Sequence, residues 1–228
     1  MRTSPLLLFL LLLGITLQAN DSRWVKGAFQ WRAGGTVCTQ VIPLYGADFR
    51  IHYAGRHKAP MKITLVDASG SPKPLPSRVV VDTKNLLSPG RRDYSGYQKA
   101  YLIVEGDSRG WDVSVDLYLD SLTEWKWKST QEEFAQAKMV KQGIWVGEGS
   151  QQISFSPKAQ PWKLVGRGEK PLPMKITVRT QEQQLLFQRI TQTVQGESAG
   201  WFHTTAPVTI TVEAPQELSW TLETLALP

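Results

Sequence analysis

Apolar residues alternate with polar or small ones along most of the chain. Phe49, Ile51 and Tyr53 do so, then Met61, Ile63 and Leu65, then Trp111, Val113, Val115 and Leu117, which is the period-two pattern of half-buried strands. The phase returns with Trp162 and Leu164, with Met174, Ile176 and Val178, and with Trp220 and Leu222. Turn-forming groups separate these runs: Asp67-Ala68-Ser69-Gly70, Ser88-Pro89-Gly90, Gly106-Asp107-Ser108 and Gly166-Arg167-Gly168. Short strands at this spacing, with no long amphipathic helix, predict an all-β chain of two tandem antiparallel β-sandwich, jelly-roll-like domains. Ala, Glu, Gln and Lys gather over residues 131–138, where a short connecting helix is allowed.

Two domains rather than one follow from an internal duplication. Pro60-Met61-Lys62-Ile63-Thr64 recurs as Pro173-Met174-Lys175-Ile176-Thr177. Upstream, Trp31 matches Trp145, Gly35 matches Gly149, Cys38 falls opposite Gln152, Val41 opposite Phe155 and Pro43 opposite Pro157. Phe49-Arg50-Ile51 matches Trp162-Lys163-Leu164. Downstream, Gly96-Tyr97 is matched to Gly200-Trp201, Val104-Glu105 to Val212-Glu213 and Trp111-Asp112-Val113 to Trp220-Thr221-Leu222. The drifting offset is what small loop insertions produce. The expected organisation is a module over 23–120, a connector over 121–140 and a second module over 141–228.

Several stretches also carry a family likeness. Phe49-Arg50-Ile51-His52-Tyr53, the strand ending in Asp67-Ala68-Ser69-Gly70, and the closing pair Tyr101-Leu102-Ile103-Val104-Glu105 and Gly110-Trp111-Asp112-Val113-Ser114-Val115 resemble the bacterial pre-peptidase C-terminal type of β-sandwich. The second copy keeps the closing pair at 208–213 and 220–222. The resemblance implies jelly-roll binding or accessory domains of secreted proteins, commonly attached to a hydrolase; no hydrolase domain accompanies them here.

The N-terminus fits an exported chain. Met1-Arg2 precedes the apolar run Leu6-Leu7-Leu8-Phe9-Leu10-Leu11-Leu12-Leu13, and small residues lead to Ala19, the order of a signal peptide over 1–19. The run is shorter than the roughly 20 apolar residues a membrane span needs, so no transmembrane segment is expected in the mature chain. Cleavage removes Arg2 and no acidic residue, lowering the formal charge from +6 to +5. A basic balance favours anionic partners, but acidic residues are interspersed with the basic ones, so a generally solvated surface is expected.

Signs of chemistry are sparse. Three histidines, His52, His57 and His203, lack metal-ligand spacing, and neither a metal nor a cofactor is expected. His52 is read as a solvated strand residue. The Gly-x-Ser-x-Gly pattern of a nucleophile elbow occurs as Gly106-Asp107-Ser108-Arg109-Gly110 and Gly196-Glu197-Ser198-Ala199-Gly200. An elbow needs a helix after the serine; strands follow both, so both read as turns. Glu105 and Glu213 share one place in the repeat and hence a structural role. Asp112, Asp116 and Asp120 read as a solvated sheet face, although carboxylates there have the chemistry for calcium. Cys38, the single cysteine, is expected on the less buried face, with a disulfide-linked dimer as the alternative to a free thiol.

The expected function is therefore non-catalytic binding or scaffolding in a bacterial periplasm, cell surface or secretome. The partner is a glycan, an envelope polymer or a protein; no motif supports nucleic acid, and the oligomeric state is left open. The alternative is a secreted hydrolase of unfamiliar type, using Asp112, Glu148 or Ser108. The candidate ligand site is Trp125-Lys126-Trp127-Lys128 in the connector. On an extended strand its two indoles share one side as a stacking platform, with the lysines opposite; packing of both indoles between the modules is the competing outcome.

Overall fold

A computed structural model describes residues 22–84, 88–191 and 198–227 of the chain; the expected signal peptide lies outside them. The first module contains β1 (Arg23–Ala33), β2 (Thr36–Cys38), β3 (Ile42–Pro43), β4 (Phe49–Gly55), β5 (Met61–Asp67), β6 (Arg78–Thr83), β7 (Gly90–Tyr94), β8 (Lys99–Gly106) and β9 (Trp111–Leu119). Helix α1 (Ser121–Gln136) follows, then β10 (Val140–Glu148), β11 (Gln151–Phe155), β12 (Trp162–Gly168), β13 (Met174–Thr180), β14 (Leu185–Thr191), β15 (Ser198–Phe202), β16 (Val208–Glu213) and β17 (Ser219–Ala226).

The two modules repeat one topology, and both are antiparallel β-sandwiches. The order β1-β9-β4-β7 in one sheet of the first is matched by β10-β17-β12-β15 in the second. Their facing sheets, β2-β8-β5-β6 and β11-β16-β13-β14, are the two halves of one long sheet, joined where β14 meets β2. Thr36 lies opposite Gln188 at that joint. The inward alternation read from sequence forms the cores: Phe49, Ile51, Met61, Ile63, Leu65, Trp111, Val113, Val115 and Leu117 are buried, as are Trp162, Leu164, Met174, Ile176, Val178, Trp220 and Leu222.

Register makes the equivalence concrete and corrects parts of it. Met61 and Met174 open matching strands. Phe49 stacks on Tyr94 at 5.7 Å and Trp162 on Phe202 at 4.1 Å, and each pair lies directly across two strands. Tyr94 is thus the counterpart of Phe202, and the match of Gly96-Tyr97 to Gly200-Trp201 does not hold: Tyr97 sits beyond β7, packed edge-on against Phe49 at 5.8 Å. Likewise Ile42, opposite Ala100, takes the place of Phe155, opposite Val208. Val41 does not.

The connector is more helical than its composition suggests. Asp120 caps α1 by accepting the Thr123 N–H at 2.7 Å, and Glu124 in the first turn completes a favourable N-terminus. The helix starts directly after β9 and runs for 16 residues. Trp127 meets Phe29 of the first module edge-on at 6.3 Å, and Phe134 approaches Trp201 of the second at 5.8 Å. Two turns of helix separate these contacts, so one helical face braces both modules. Among the described residues, no helix is long and apolar enough to cross a membrane.

Candidate binding cleft between the modules

The long sheet has a side turned away from the sandwich cores. Lys62 and Thr64 of β5, with Tyr101, Ile103 and Glu105 of β8, point there, because the intervening Ile63, Leu102 and Val104 are buried inward. Lys62 lies directly across from Glu105 and pairs with it at 3.0 Å. In the second module Lys175 and Glu213 make the same cross-strand pair at 2.9 Å. This repeated ion pair explains why both glutamates recur.

Where the halves meet, a cavity of about 650 Å3 opens, lined by Lys62, Asp82, Lys84, Glu105, Lys175 and Arg189 among others. Arg189 breaks the repeat. It lies opposite Ile176, whereas the equivalent place opposite Ile63 holds Val81. Its guanidinium is half-buried and, among the described residues, pairs with no carboxylate, while burial lowers its pKa from the ordinary arginine value. A guanidinium in this position, with no carboxylate partner among the described residues, favours a planar anion such as a carboxylate, sulfate or phosphate.

A second chamber of about 440 Å3 shares Lys62 and Glu105 with the first and is walled by Cys38, Tyr101, Trp201 and His203. His203 stacks on Tyr101 at 4.1 Å and 22°. Its Nε2–H donates to the Thr39 carbonyl at 2.8 Å, and burial lowers its pKa, partly offset by that hydrogen bond. Burial pushes the Tyr101 hydroxyl up to about 12 and the Cys38 thiol up to about 12. Cys38 does point away from its own module's core, as the repeat implied. The second module covers it there, and it is a free thiol.

The residues singled out in the connector are placed differently from the expected strand. On α1, Trp125 and Trp127 are about 200° apart, so no shared platform forms. Trp125 is 67% exposed, beside the equally solvent-facing Leu122. Trp127 instead packs onto the core, its Nε1 buried without a hydrogen-bond partner. Lys126 lies 5.3 Å from the Tyr45 ring centre, and Lys128 pairs with Glu124 at 2.8 Å. The competing expectation of both indoles packed between the modules is not met either: Trp127 packs against Phe29 of the first module, and Trp125 faces solvent.

The outward polar residues of β4 and β9 are part-exposed and mutually paired, with Asp116 alone buried. Asp116 is buried, accepting the Gly27 N–H at 2.7 Å and facing His52 Nε2 at 2.9 Å. Asp112 accepts from Arg32 at 2.8 Å and from Arg56 at 3.1 Å, which holds its pKa below the usual carboxylate range. Asp120 caps the helix. With each carboxylate separately engaged, no group of three metal-ligating side chains exists among the described residues. Ser108 lies in the tight β8–β9 turn, where Gly110 N–H donates to the Asp107 carbonyl at 3.2 Å. Ser198 opens β15; Gly196 and Glu197 before it lie outside the described residues.

No protein-family model and no curated protein sequence matches the chain. Among solved structures, the tandem CBM22-1-CBM22-2 domains of Paenibacillus barcinonensis Xyn10C align over 91% of this chain and 94% of that one, at 10% identity and a TM-score of 0.27. The PBSX exported protein XepA aligns over 89% and 86%, at 7% identity and 0.28. A conserved protein of unknown function from Pseudomonas aeruginosa PAO1 aligns over 87% and 80%, at 11% and 0.27. At these scores and identities none of them assigns a ligand to this chain.

The cleft residues were missed by sequence reading because the cleft exists only where two modules meet. One signal was available. A charged Arg189 replaces an apolar residue of the sister strand, and such a departure from the repeat marks a position freed from the shared fold.

Proposed function

We propose that this chain is an exported, non-catalytic binding or scaffolding protein that holds an acidic glycan or similar anionic envelope polymer in the cleft between its modules. The observation that carries the reading is Arg189, which lines the cavity and pairs with no carboxylate among the described residues, while the neighbouring Lys62 and Lys175 are already neutralised by Glu105 and Glu213. A half-buried guanidinium without a carboxylate partner is suited to pairing with an anionic ligand group. Tyr101, Trp201 and His203 along the same cleft offer apolar ring surface for a sugar face. Catalysis would need convergent titratable groups, and Glu105, Glu213 and Asp112 are committed to ion pairs and Asp120 to the helix cap.

In this reading the modules span 23–120 and 141–228 and are of the pre-peptidase C-terminal type, with 121–140 as the brace. Trp125 and Lys126 remain an auxiliary contact on the outer side of α1, whereas Trp127 and Lys128 serve the fold.

Retention on immobilised polygalacturonate, with neutral dextran as control, tests the proposal. Wild-type protein should be retained and should elute with rising salt. Arg189→Val, which restores the sister module's apolar character, should keep the thermal midpoint and lose retention at least tenfold. Equal retention of wild type and variant would remove the cleft from the function; a parallel Trp125→Ala arm reports on the helix contact.

A further inference from the structure

The two modules of one chain are joined by unlike edges. In the long sheet β14, the outer strand of the second module's half, meets β2, the outer strand of the first module's half. By topology β14 corresponds to β6, and β2 corresponds to β11. The strands left at the two ends of the sheet are β11 and β6. Among the described residues, the molecule therefore carries, unjoined, a second set of the two edges that it joins internally. We propose that a second copy of this chain docks head to tail, β6 of one molecule against β11 of the next, continuing the sheet from molecule to molecule.

The local chemistry of both ends fits. Natural edge strands are guarded by charge, proline or a covering element. β11 presents Gln151, Gln152 and Ser154 to solvent and carries no charge; β6 presents Val79 at 57% exposure within the run Val79-Val80-Val81, between the exposed charges of Arg78 and Asp82. The prolines at 72, 74 and 76 end before Arg78, so every residue of β6 keeps its backbone N–H.

The internal joint also supplies the register. Gln188 lies opposite Thr177 in β13, and Val79 lies opposite Thr64, its repeat mate, in β5. Thr36 is level with Glu105, and Ser150, one residue before Gln151, is level with Glu213. Transferring the Thr36–Gln188 pairing places Val79 of one copy opposite Ser150 of the next and Arg78 opposite Gln151. Ser150 is preceded by Gly149, with φ +62°, as Thr36 is preceded by Gly35, with φ +77°. A Cβ on Gly35 would strike the Gln188 carbonyl oxygen at 2.1 Å, whereas one on Gly149 would meet nothing nearer than Gln216 Cα at 3.3 Å. Beside Gly149 no neighbouring strand takes the place that β14 takes beside Gly35; only the backbone of the Pro215–Gln216 turn approaches. A heterologous contact of this kind does not cap itself, so it yields open chains rather than closed pairs.

Light scattering of the full chain over a wide concentration range should give masses rising through whole-number multiples of the monomer. Val79→Lys, at an exposed position, should keep the monomer's thermal midpoint and abolish the rise. In a Cys38→Ser background, mixing Arg78→Cys and Gln151→Cys chains under mild oxidation should give disulfide-linked pairs at least tenfold faster than either chain alone. A chain carrying both substitutions should give a ladder. A mass that stays monomeric at all concentrations overturns the proposal. So does faster cross-linking of either single variant with itself, which would mean a symmetric pair.

Discussion

Trp111 donates its indole N–H to the carbonyl oxygen of Gly35 at 2.9 Å, and Trp220 donates in the same way to Gly149 at 2.7 Å. Each bond closes its module by tying the start of the last strand to the turn after the first. Both indoles are almost fully buried, so nitrogen and ring contribute separately. Trp111→Phe keeps most of the apolar contact and removes one of two hydrogen bonds on the Gly35 carbonyl, which still accepts the Gly106 N–H at 3.2 Å, at about 0.5 to 1.5 kcal/mol; Trp111→Ala should cost about 3 to 5 kcal/mol. Urea denaturation should rank the two in that order, with Trp220 variants following suit. Equal losses would mean that the hydrogen bond contributes nothing.

The two glycines of these bonds should respond differently to alanine. Both have positive φ, which alone costs an alanine about 1 to 2 kcal/mol. Gly35→Ala would in addition drive β14 from β2, so it should destabilise more than Gly149→Ala. It alone should change the small-angle scattering of the pair of modules. Identical profiles for both variants would argue against the joint as described.

Glu124 sets an acid limit on the brace. Hydrogen bonds from Arg23 first, then Lys128, lower its pKa from 4.5 to about 2. A depressed carboxylate contributes stability that is fully present above its unfolded value and is lost as pH falls through the folded one. The contribution should therefore fade between about 4.5 and about 2. It is modest, because both cationic partners are more than half exposed. Glu124→Gln should flatten the pH dependence of the thermal midpoint in that window and leave the region above it parallel to wild type.

Cys38 should be slow to react in the folded protein. With its thiol pushed up to about 12 by burial, the thiolate fraction at pH 8 is on the order of a thousandfold below that of an ordinary cysteine. A thiol reagent should label the native chain slowly and the urea-unfolded chain at once, and non-reducing electrophoresis should show no linked dimer. Fast native labelling would place the thiol in open solvent.

The strands were legible because alternation and burial are the same constraint seen twice: Met61, Ile63 and Leu65 could face a core in only one register. The Trp111 and Trp220 equivalence was legible for the same reason. The helix was under-read. Asp120, Thr123 and Glu124 form an N-terminal signature, but Trp125 and Trp127 two residues apart imitate a strand, and the cap decided the matter. Gly96-Tyr97 misled because a glycine beside an aromatic ring anchors no register. His52 with Asp116 was hidden by pairing across strands that lie 64 residues apart. The cleft was illegible because it depends on the meeting of Thr36 with Gln188, a relationship between modules that neither module's pattern encodes.

Helix α1 also works as a ruler. Sixteen residues at a rise of 1.5 Å make a rod about 24 Å long, gripped through Trp127 at one module and Phe134 at the other. A flexible tether would let two neighbouring domains sample many separations and adapt to whatever they met. This rod fixes one spacing, so whatever the protein grips across both modules is measured before it is held. Adding a single residue to the helix would turn the second grip by about 100°, and the gauge would then read a different object.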